Sequence, residues 1–265
     1  MRLIKYEGLG NKFLVAIQES VPKGSTELAV SVCNPENGLD ADGLIFGTPS
    51  SSDGIDVHMT LFNADGSSAE ISGNGIRCLA QEIFSTSKKK SLQILTGSGV
   101  RNVTLDNFKN DEAEISVDMG PVREGPELPL LDFLHHESIT ILQAATADIG
   151  NPHVVIEVET LDGVDVAAAG PHIESLWQPV GINVHFLKVQ NRDEFSMLTW
   201  ERGAGVTLAC GTGASACAFI ANRWGLIGEK SKATMAGGAA QIELMNGKVL
   251  LKGKSRRVEE FEITF

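Results

Sequence analysis

The sequence predicts an α+β protein of two similar modules, each a set of strands wrapped around one apolar helix. Three observations predict it: glycine-rich stretches that recur at a fixed offset, two helices apolar through much of their circumference, and strand-length β-prone runs around them. Gly10-Asn11-Lys12-Phe13-Leu14-Val15 matches Gly150-Asn151-Pro152-His153-Val154-Val155, 140 residues on. Asp42-Gly43-Leu44-Ile45-Phe46 falls opposite Ile182-Asn183-Val184-His185-Phe186 at the same offset of 140. The longest match runs from Phe62-Asn63 to Ser72-Gly73-Asn74-Gly75, opposite Trp200-Glu201 to Cys210-Gly211-Thr212-Gly213 at an offset of 138. Three matches in one order, drifting by only two residues, describe a module of about 120 to 140 residues present twice, which is an ordinary domain size.

The elements follow from local pattern. Val57–Phe62 and Glu194–Trp200 have the length and β-prone composition of strands. Ala240–Met245, then Asn246-Gly247, then Lys248–Leu251 reads as a hairpin, because Asn-Gly suits the positive φ angles of a type I′ turn. The clearest helices run from Gly75 to about Ser85 and from Gly213 to about Trp224; being apolar nearly all round, they belong inside their modules. The modules are set at residues 1–117 and 118–256, with 257–265 returning to the first as a strand. A pseudo-twofold relation between them is expected, with matched groups facing a cleft. The His135-His136 pair has no partner motif and reads as surface loop.

Composition narrows the function. Hydrophobic residues at 42% and charged residues at 21% describe a globular chain, and no stretch approaches the ~18 apolar residues of a membrane helix. Charges at Arg2, Lys5 and Glu7 interrupt any signal-peptide core, so a cytoplasmic location is expected. A formal charge of −12 repels nucleic acid and anionic membranes, leaving a small molecule as the expected partner. A homodimer is left open. Cys33, Cys78, Cys210 and Cys217 form no C-x-x-C pair and share no zinc spacing with histidine, so neither a metal site nor a disulfide framework is expected.

The chemistry concentrates at the two helix starts, Ser72-Gly73-Asn74-Gly75 and Cys210-Gly211-Thr212-Gly213. Glycine admits a ligand close to the backbone, and the first helical turn offers unpaired N–H groups with partial positive charge, which suit a carboxylate. The same field favours a thiolate, giving Cys210 an expected lowered pKa. One isolated glycine run would be no more than a tight strand-to-helix turn. Two matched runs favour a paired site, with residues 72 and 210 flanking the carbon next to the bound carboxylate.

Asn63-Ala64-Asp65-Gly66-Ser67 leading to Ser72-Gly73-Asn74-Gly75-Ile76-Arg77-Cys78, and Glu201-Arg202-Gly203 leading to Ala209-Cys210-Gly211-Thr212-Gly213-Ala214, resemble the two signature segments of the diaminopimelate epimerase family. Gly8-Leu9-Gly10-Asn11, Ala41-Asp42-Gly43-Leu44, Gly150-Asn151-Pro152-His153 and Gly181-Ile182-Asn183-Val184 extend the resemblance along nearly the whole chain. It implies an α+β fold of two pseudo-twofold-related modules, each a curved, barrel-like mixed sheet around a central helix. It implies racemase or epimerase chemistry on an amino acid without pyridoxal phosphate or any other cofactor, one cysteine removing the α-proton while another returns one. By position Cys210 is one acid/base and Ser72 stands where the family has the other. His153 and Glu201 match residues that assist the cysteines. Asn11, Asn63, Asn151, Asn183, Glu201 and Arg202 match substrate-binding residues, Arg202 with a fork suited to a carboxylate. Gly73, Asn74, Gly211 and Thr212 match the lining of the carboxylate site.

Two departures qualify the resemblance. Ser72 replaces a thiol of unperturbed pKa about 8.5 with a hydroxyl far harder to ionise, and Cys78 lies too far along the helix, some 7 Å at ~1.5 Å per residue, to replace it. An impaired or modified epimerase, a one-base reaction through Cys210, a racemase or dehydratase for another amino acid (histidine or hydroxyproline type), and an inactive amino-acid-binding homologue all remain open. Ile182 and His185 stand where the family has Thr and Asn, which loosens the assignment of substrate.

Overall fold

The computed structural model describes residues 1–129 and 139–264; the His135-His136 pair lies outside them. The chain divides into two compact units, Met1–Asp118 with Lys252–Phe265, and Met119–Leu251. No described helix is long and apolar enough to cross a membrane.

The first unit holds β1 (Arg2–Gly8), β2 (Asn11–Ile17), α1 (Ser25–Cys33), β3 (Gly43–Thr48), β4 (Val57–Asn63), the short β5 (Ser68–Ala69), α2 (Gly73–Thr86), β6 (Ser91–Thr96), β7 (Gly99–Lys109) and the start of β8 (Glu112–Pro121). Its strands form a ring. β2 and β3 run parallel, as do β4 and β6, while β1–β2, β3–β4, β6–β7 and β7–β8 are antiparallel. The last strand of the chain, β17 (Lys248–Glu262), pairs with β1 from Arg2↔Glu262 to Glu7↔Arg256 and also with β8. Among the described residues this closes an eight-stranded mixed barrel, with Lys252 and Lys254 paired to Glu114 and Glu112 across the closing seam.

Helix α2 fills the barrel, packing on β1, β2, β3 and β7, and is buried from Gly73 to Glu82. A helix buried on all sides must satisfy its polar residues locally. The Tyr6 hydroxyl donates to Glu82 at 2.5 Å and Gln81 Nε2 donates to the Asp111 carbonyl at 2.7 Å, while Gln81 Oε1 and Arg77 Nε stay without a hydrogen-bond partner among the described residues.

The second unit repeats the scheme. Its elements are β9 (Arg123–Glu124), β10 (Ile141–Asp148), β11 (Pro152–Val158), α3 (Val166–Ser175), β12 (Asn183–Asn191), β13 (Glu194–Glu201), β14 (Gly205–Thr207), α4 (Gly211–Arg223), β15 (Lys230–Met235) and β16 (Gly238–Met245). The parallel pair β11–β12, in register His153↔Asn183, repeats β2–β3 in register Phe13↔Gly43. The antiparallel pair β12–β13, His185↔Thr199, repeats β3–β4, Ile45↔Leu61. Helix α4 packs on β10, β11, β12, β15 and β16, and is buried from Gly211 to Ala218.

Asn246 and Gly247 between β16 and β17 have φ of 51° and 76°, the signs a type I′ turn demands. Both central helices start two residues earlier than the apolar pattern suggests, at Gly73 and Gly211, because the glycines themselves form the first turn. Helices α1 and α3 were not singled out from the sequence. Each buries only one face, and α3 is capped by Asp165 accepting from Ala168 N–H at 3.0 Å.

Candidate active site

The two helix starts have nearly the same backbone. Ser72 caps α2 at φ −131°, ψ 122°, and Cys210 caps α4 at φ −130°, ψ 111°. In each, the side chain of the cap accepts from the N–H three residues on: Gly75 N–H to Ser72 Oγ at 3.0 Å, and Gly213 N–H to Cys210 Sγ at 3.3 Å. Serine is a preferred residue for this position, so replacing a thiol by a hydroxyl at 72 leaves the helix well capped. What changes is the chemistry of the atom held there.

In the first unit, Asn74 is the hub. Its Nδ2 donates to Asn11 Oδ1 at 2.5 Å, and its Oδ1 accepts from Arg77 Nη2 at 2.6 Å. Arg77 is fully buried and also donates to the Gly73 carbonyl at 2.8 Å, so its guanidinium clamps the first turn of α2 from within. Asn11 is further held by Asp42, which also accepts from Lys12 N–H at 2.7 Å. Asn63 Nδ2 donates to Ser67 Oγ at 3.0 Å within a turn closed by Asp65. Asn11, Gly73, Asn74 and Ser72 thus gather at one helix start, with Asn63 in the turn between β4 and β5.

In the second unit, Cys210 is 4% exposed, and its Sγ lies 3.4 Å from Thr212 Oγ1. The thiol pKa is raised, not lowered. Burial is the main cause, and the Glu201 carboxylate adds both its charge and a hydrogen bond to the sulfur; the contacts from Thr212 and Gly213 N–H oppose these and lose. The helix field was expected to win. It is outweighed because a small dipole effect of about 0.3–1 kcal/mol cannot offset desolvation of a charge beside another anion. Glu201 is itself held by Thr207, whose hydroxyl donates to Oε1 at 2.7 Å. The resting pair is therefore a thiol leaning on a carboxylate, with an acceptor for its proton in place.

His153 is fully buried at the start of β11. Its Nε2 lies 2.9 Å from Asn151 Oδ1, and its Nδ1 lies 2.8 Å from Nε2 of the fully buried His185. His185 Nδ1 reaches Thr199 Oγ1 at 3.1 Å. Burial pushes His185 down to about 3 and His153 well below the usual imidazole range, the latter helped by His185 and Arg202.

Asn183 and Arg202 brace a loop. Asn183 Nδ2 donates to the Pro152 carbonyl at 2.9 Å, and its Oδ1 accepts from Arg202 N–H at 3.1 Å. Arg202 is exposed, with Nη1 donating to the Val180 carbonyl at 2.9 Å. Asn151, His153, Asn183, Glu201, Arg202, Cys210, Gly211 and Thr212 all belong to this unit. Sequence reasoning missed Arg77, Thr199 and Thr207 as partners of these groups. Only His185 carried a signal, as a departure from the resembled motif.

Comparisons with known proteins supply the family. The family model described as diaminopimelate epimerase matches residues 3–124 and 145–258. A diaminopimelate epimerase from Moorella thermoacetica is 38% identical over 257 residues, covering 92% of this chain and 91% of its own. One from Methanothermobacter thermautotrophicus is 35% identical over 256 residues, covering 91% and 89%. Among solved structures, a protein described as a predicted epimerase from Pseudomonas aeruginosa superposes with a TM-score of 0.80 over 100% of this chain and 99% of its own, at 15% identity, a likeness of fold alone. With two capped helix starts, a thiol backed by a carboxylate, and matches of this extent, the chain belongs to the diaminopimelate epimerase family.

Proposed function

We propose that the protein interconverts LL- and meso-2,6-diaminopimelate by cofactor-independent proton transfer at the α-carbon, with Cys210 as the principal acid/base. The observation that carries this reading is the Cys210–Glu201 pair at the N-terminus of α4. Glu201 takes the thiol proton, the sulfur takes the α-proton of the substrate, and the electrons left on carbon spread into the α-carboxylate. First-turn N–H groups such as those of Gly211 and Thr212 stabilise that charge as it builds. Raising the thiol pKa keeps Cys210 protonated at rest, so it also serves as the donor in the reverse direction.

To complete the inversion a second group has to return a proton, and the position matched to Cys210 in the repeat, Ser72, carries a hydroxyl that donates a proton poorly and abstracts one hardly at all. The two epimers are therefore handled unequally. A cytoplasmic site of action belongs to the same proposal, as the place where a lysine and cell-wall precursor would be made.

Proton NMR in heavy water tests the proposal. Loss of the α-proton signal is expected faster from one of the LL- and meso-forms than from the other, and it is expected to vanish with Cys210→Ala. Exchange that persists in Cys210→Ala, or that runs equally fast from both epimers, would overturn the assignment. Exchange with another amino acid but none with diaminopimelate would overturn the substrate.

A further inference from the structure

The repeat exposes an asymmetry that packing does not require. Against the first turn of α2, Ile45 lies where a Cβ on Gly75 would come within 3.0 Å of its Cδ1. Its strand partner is Leu61, and Phe13 stands in the neighbouring strand at the start of β2. All three are buried and apolar. At the matched places in the second unit stand His185, Thr199 and His153, also buried, but polar and joined in one hydrogen-bonded row. Apolar side chains evidently suffice to fill this part of the frame. Burying two imidazoles and a hydroxyl instead is costly unless every polar atom is paired.

The row has a direction. Asn151 Oδ1 can only accept, so the His153 nitrogen 2.9 Å from it must carry the proton. His153 Nδ1 is then a bare acceptor and takes the Nε2–H of His185 at 2.8 Å. That leaves His185 Nδ1 bare, and the Thr199 hydroxyl donates to it at 3.1 Å. Reversing the row would set the bare Nε2 of His153 against the Asn151 oxygen, two acceptors in contact. Gly213 makes room for the arrangement, since a Cβ there would lie 2.2 Å from His185 Cε1.

We infer that His185 is a positioning residue: with Thr199 behind it, it holds His153 as the Nε2–H tautomer, so that His153 presents a proton donor and not a base on its Asn151 face. Any group that displaces the Asn151 oxygen then meets an N–H. The inference rests on the proposed epimerase reading for its kinetic consequence, but its structural content does not. Low imidazole pKa values in both rings agree with a neutral pair.

The test is nitrogen NMR on histidine-labelled, ligand-free protein, read beside the kinetics of α-proton exchange. His153 is expected to show a protonated Nε2 and a bare Nδ1 at neutral pH. In His185→Ile, which copies the apolar filler of the first unit, nothing donates to His153 Nδ1 and the Asn151 amide can turn its NH2 toward the ring, so that single-tautomer signature is expected to be lost. In the same variant kcat is expected to fall by about tenfold to a hundredfold, less than the ~10²–10⁴ of a wholly lost acid/base contribution because His153 itself remains, with KM changed less than threefold. His185→Asn, whose amide can also donate to His153 Nδ1, is expected to restore both readouts. Should His185→Ile fail to fold, Thr199→Val removes the orienting hydroxyl at little change in volume and is expected to blur the signature likewise. A proton on Nδ1 in the unaltered protein overturns the inference, as does an unchanged signature and kcat in the variants. If diaminopimelate shows no exchange while the tautomer is as described, the functional reading fails and the structural one stands.

Discussion

Substituting alanine at the third residue of each central helix offers a test of the frame within one molecule. At Gly213 the added Cβ would lie 2.2, 2.6 and 2.8 Å from three atoms of the His185 ring. Ordinary contact begins near 3.4 Å, so the ring must retreat by more than 1 Å. A shift of that size breaks the hydrogen bonds of 2.8 Å to His153 and 3.1 Å to Thr199. Each buried polar group left unpaired costs about 1–3 kcal/mol, and the crowding itself about 1–3 kcal/mol. Gly213→Ala should therefore cost roughly 3–5 kcal/mol, as a sum of one or two such losses and the overlap.

Gly75 in the other unit is the control. Its nearest neighbours would be Ile45 Cδ1 at 3.0 Å, the free end of a flexible side chain, and Ser72 Cβ and Oγ at 3.2 and 3.4 Å, so only a few tenths of an ångström must be found. Gly75→Ala should cost about 1 kcal/mol, since an Ile45 rotamer change and a small shift of the Ser72 cap absorb a deficit of a few tenths of an ångström. At about 2–4 °C per kcal/mol for a chain of this size, the two variants should melt at least ~4 °C apart in calorimetry. Adding His185→Ala to Gly213→Ala should recover part of the loss, a coupling of 1–3 kcal/mol by order of magnitude. Equal melting temperatures for the two glycine variants, or no coupling in the double variant, would refute the slot.

Three further outcomes follow from the site. Ser72→Cys keeps the cap of α2, as Cys210 does for α4 at 3.3 Å, and should raise α-proton exchange strongly with little change in melting temperature, whereas Ser72→Ala should cost about 1 kcal/mol of stability through the lost cap. Glu201→Gln should make the Cys210 thiol react with iodoacetamide at lower pH, because the neighbouring anion helps raise its pKa, yet should slow exchange, because the acceptor for the thiol proton is gone; faster exchange in this variant would refute the acceptor role. Both buried histidines have folded pKa values below the unfolded value near 6.5, His185 at about 3, so the neutral forms favour the native state: the stability they lend is complete above 6.5 and is lost as pH falls below it, by up to about 1.4 kcal/mol per pH unit for each proton. Urea denaturation between pH 7.5 and 5 should show that slope, flattened in His185→Ile.

Much of the frame was legible because it is written twice. The offset that relates Asn11 to Asn151, and Ser72 to Cys210, reappears as matched strand registers and matched helix caps. Glycine-led starts could be placed for the same reason: a strand entering a buried helix needs N–H partners at once, and Ser72 and Cys210 supply them. The ionisation of Cys210 was not legible. Its sign depends on how completely the sulfur is buried and on a carboxylate nine residues earlier, and neither is a property of the helix start. The histidine row was hidden too, since Thr199 meets His185 only through the register of β12 with β13.

The same comparison says where selection for chemistry, as opposed to folding, acts on the repeat. A position that is apolar in one copy and polar in the other, at equal burial, cannot owe its polarity to the fold, because the fold is built without it next door in the same chain. Phe13, Ile45 and Leu61 against His153, His185 and Thr199 meet that condition; Asn63 against Glu201, both half-buried, differs instead as neutral against charged. Ser72 against Cys210 differs in the opposite sense: both cap a helix equally, so the hydroxyl costs the structure nothing and leaves only the proton transfer changed. At the matched positions the first unit carries Asn63 and Ser72 where the second carries the ionisable Glu201 and Cys210. Moving them is therefore a sharper test than removing them. Ser72→Cys together with Asn63→Glu should give the first helix start a thiol–carboxylate pair of its own, and the ratio of exchange rates from the two epimers should move toward one; a ratio that stays fixed while both variants fold would show that the imbalance lies elsewhere.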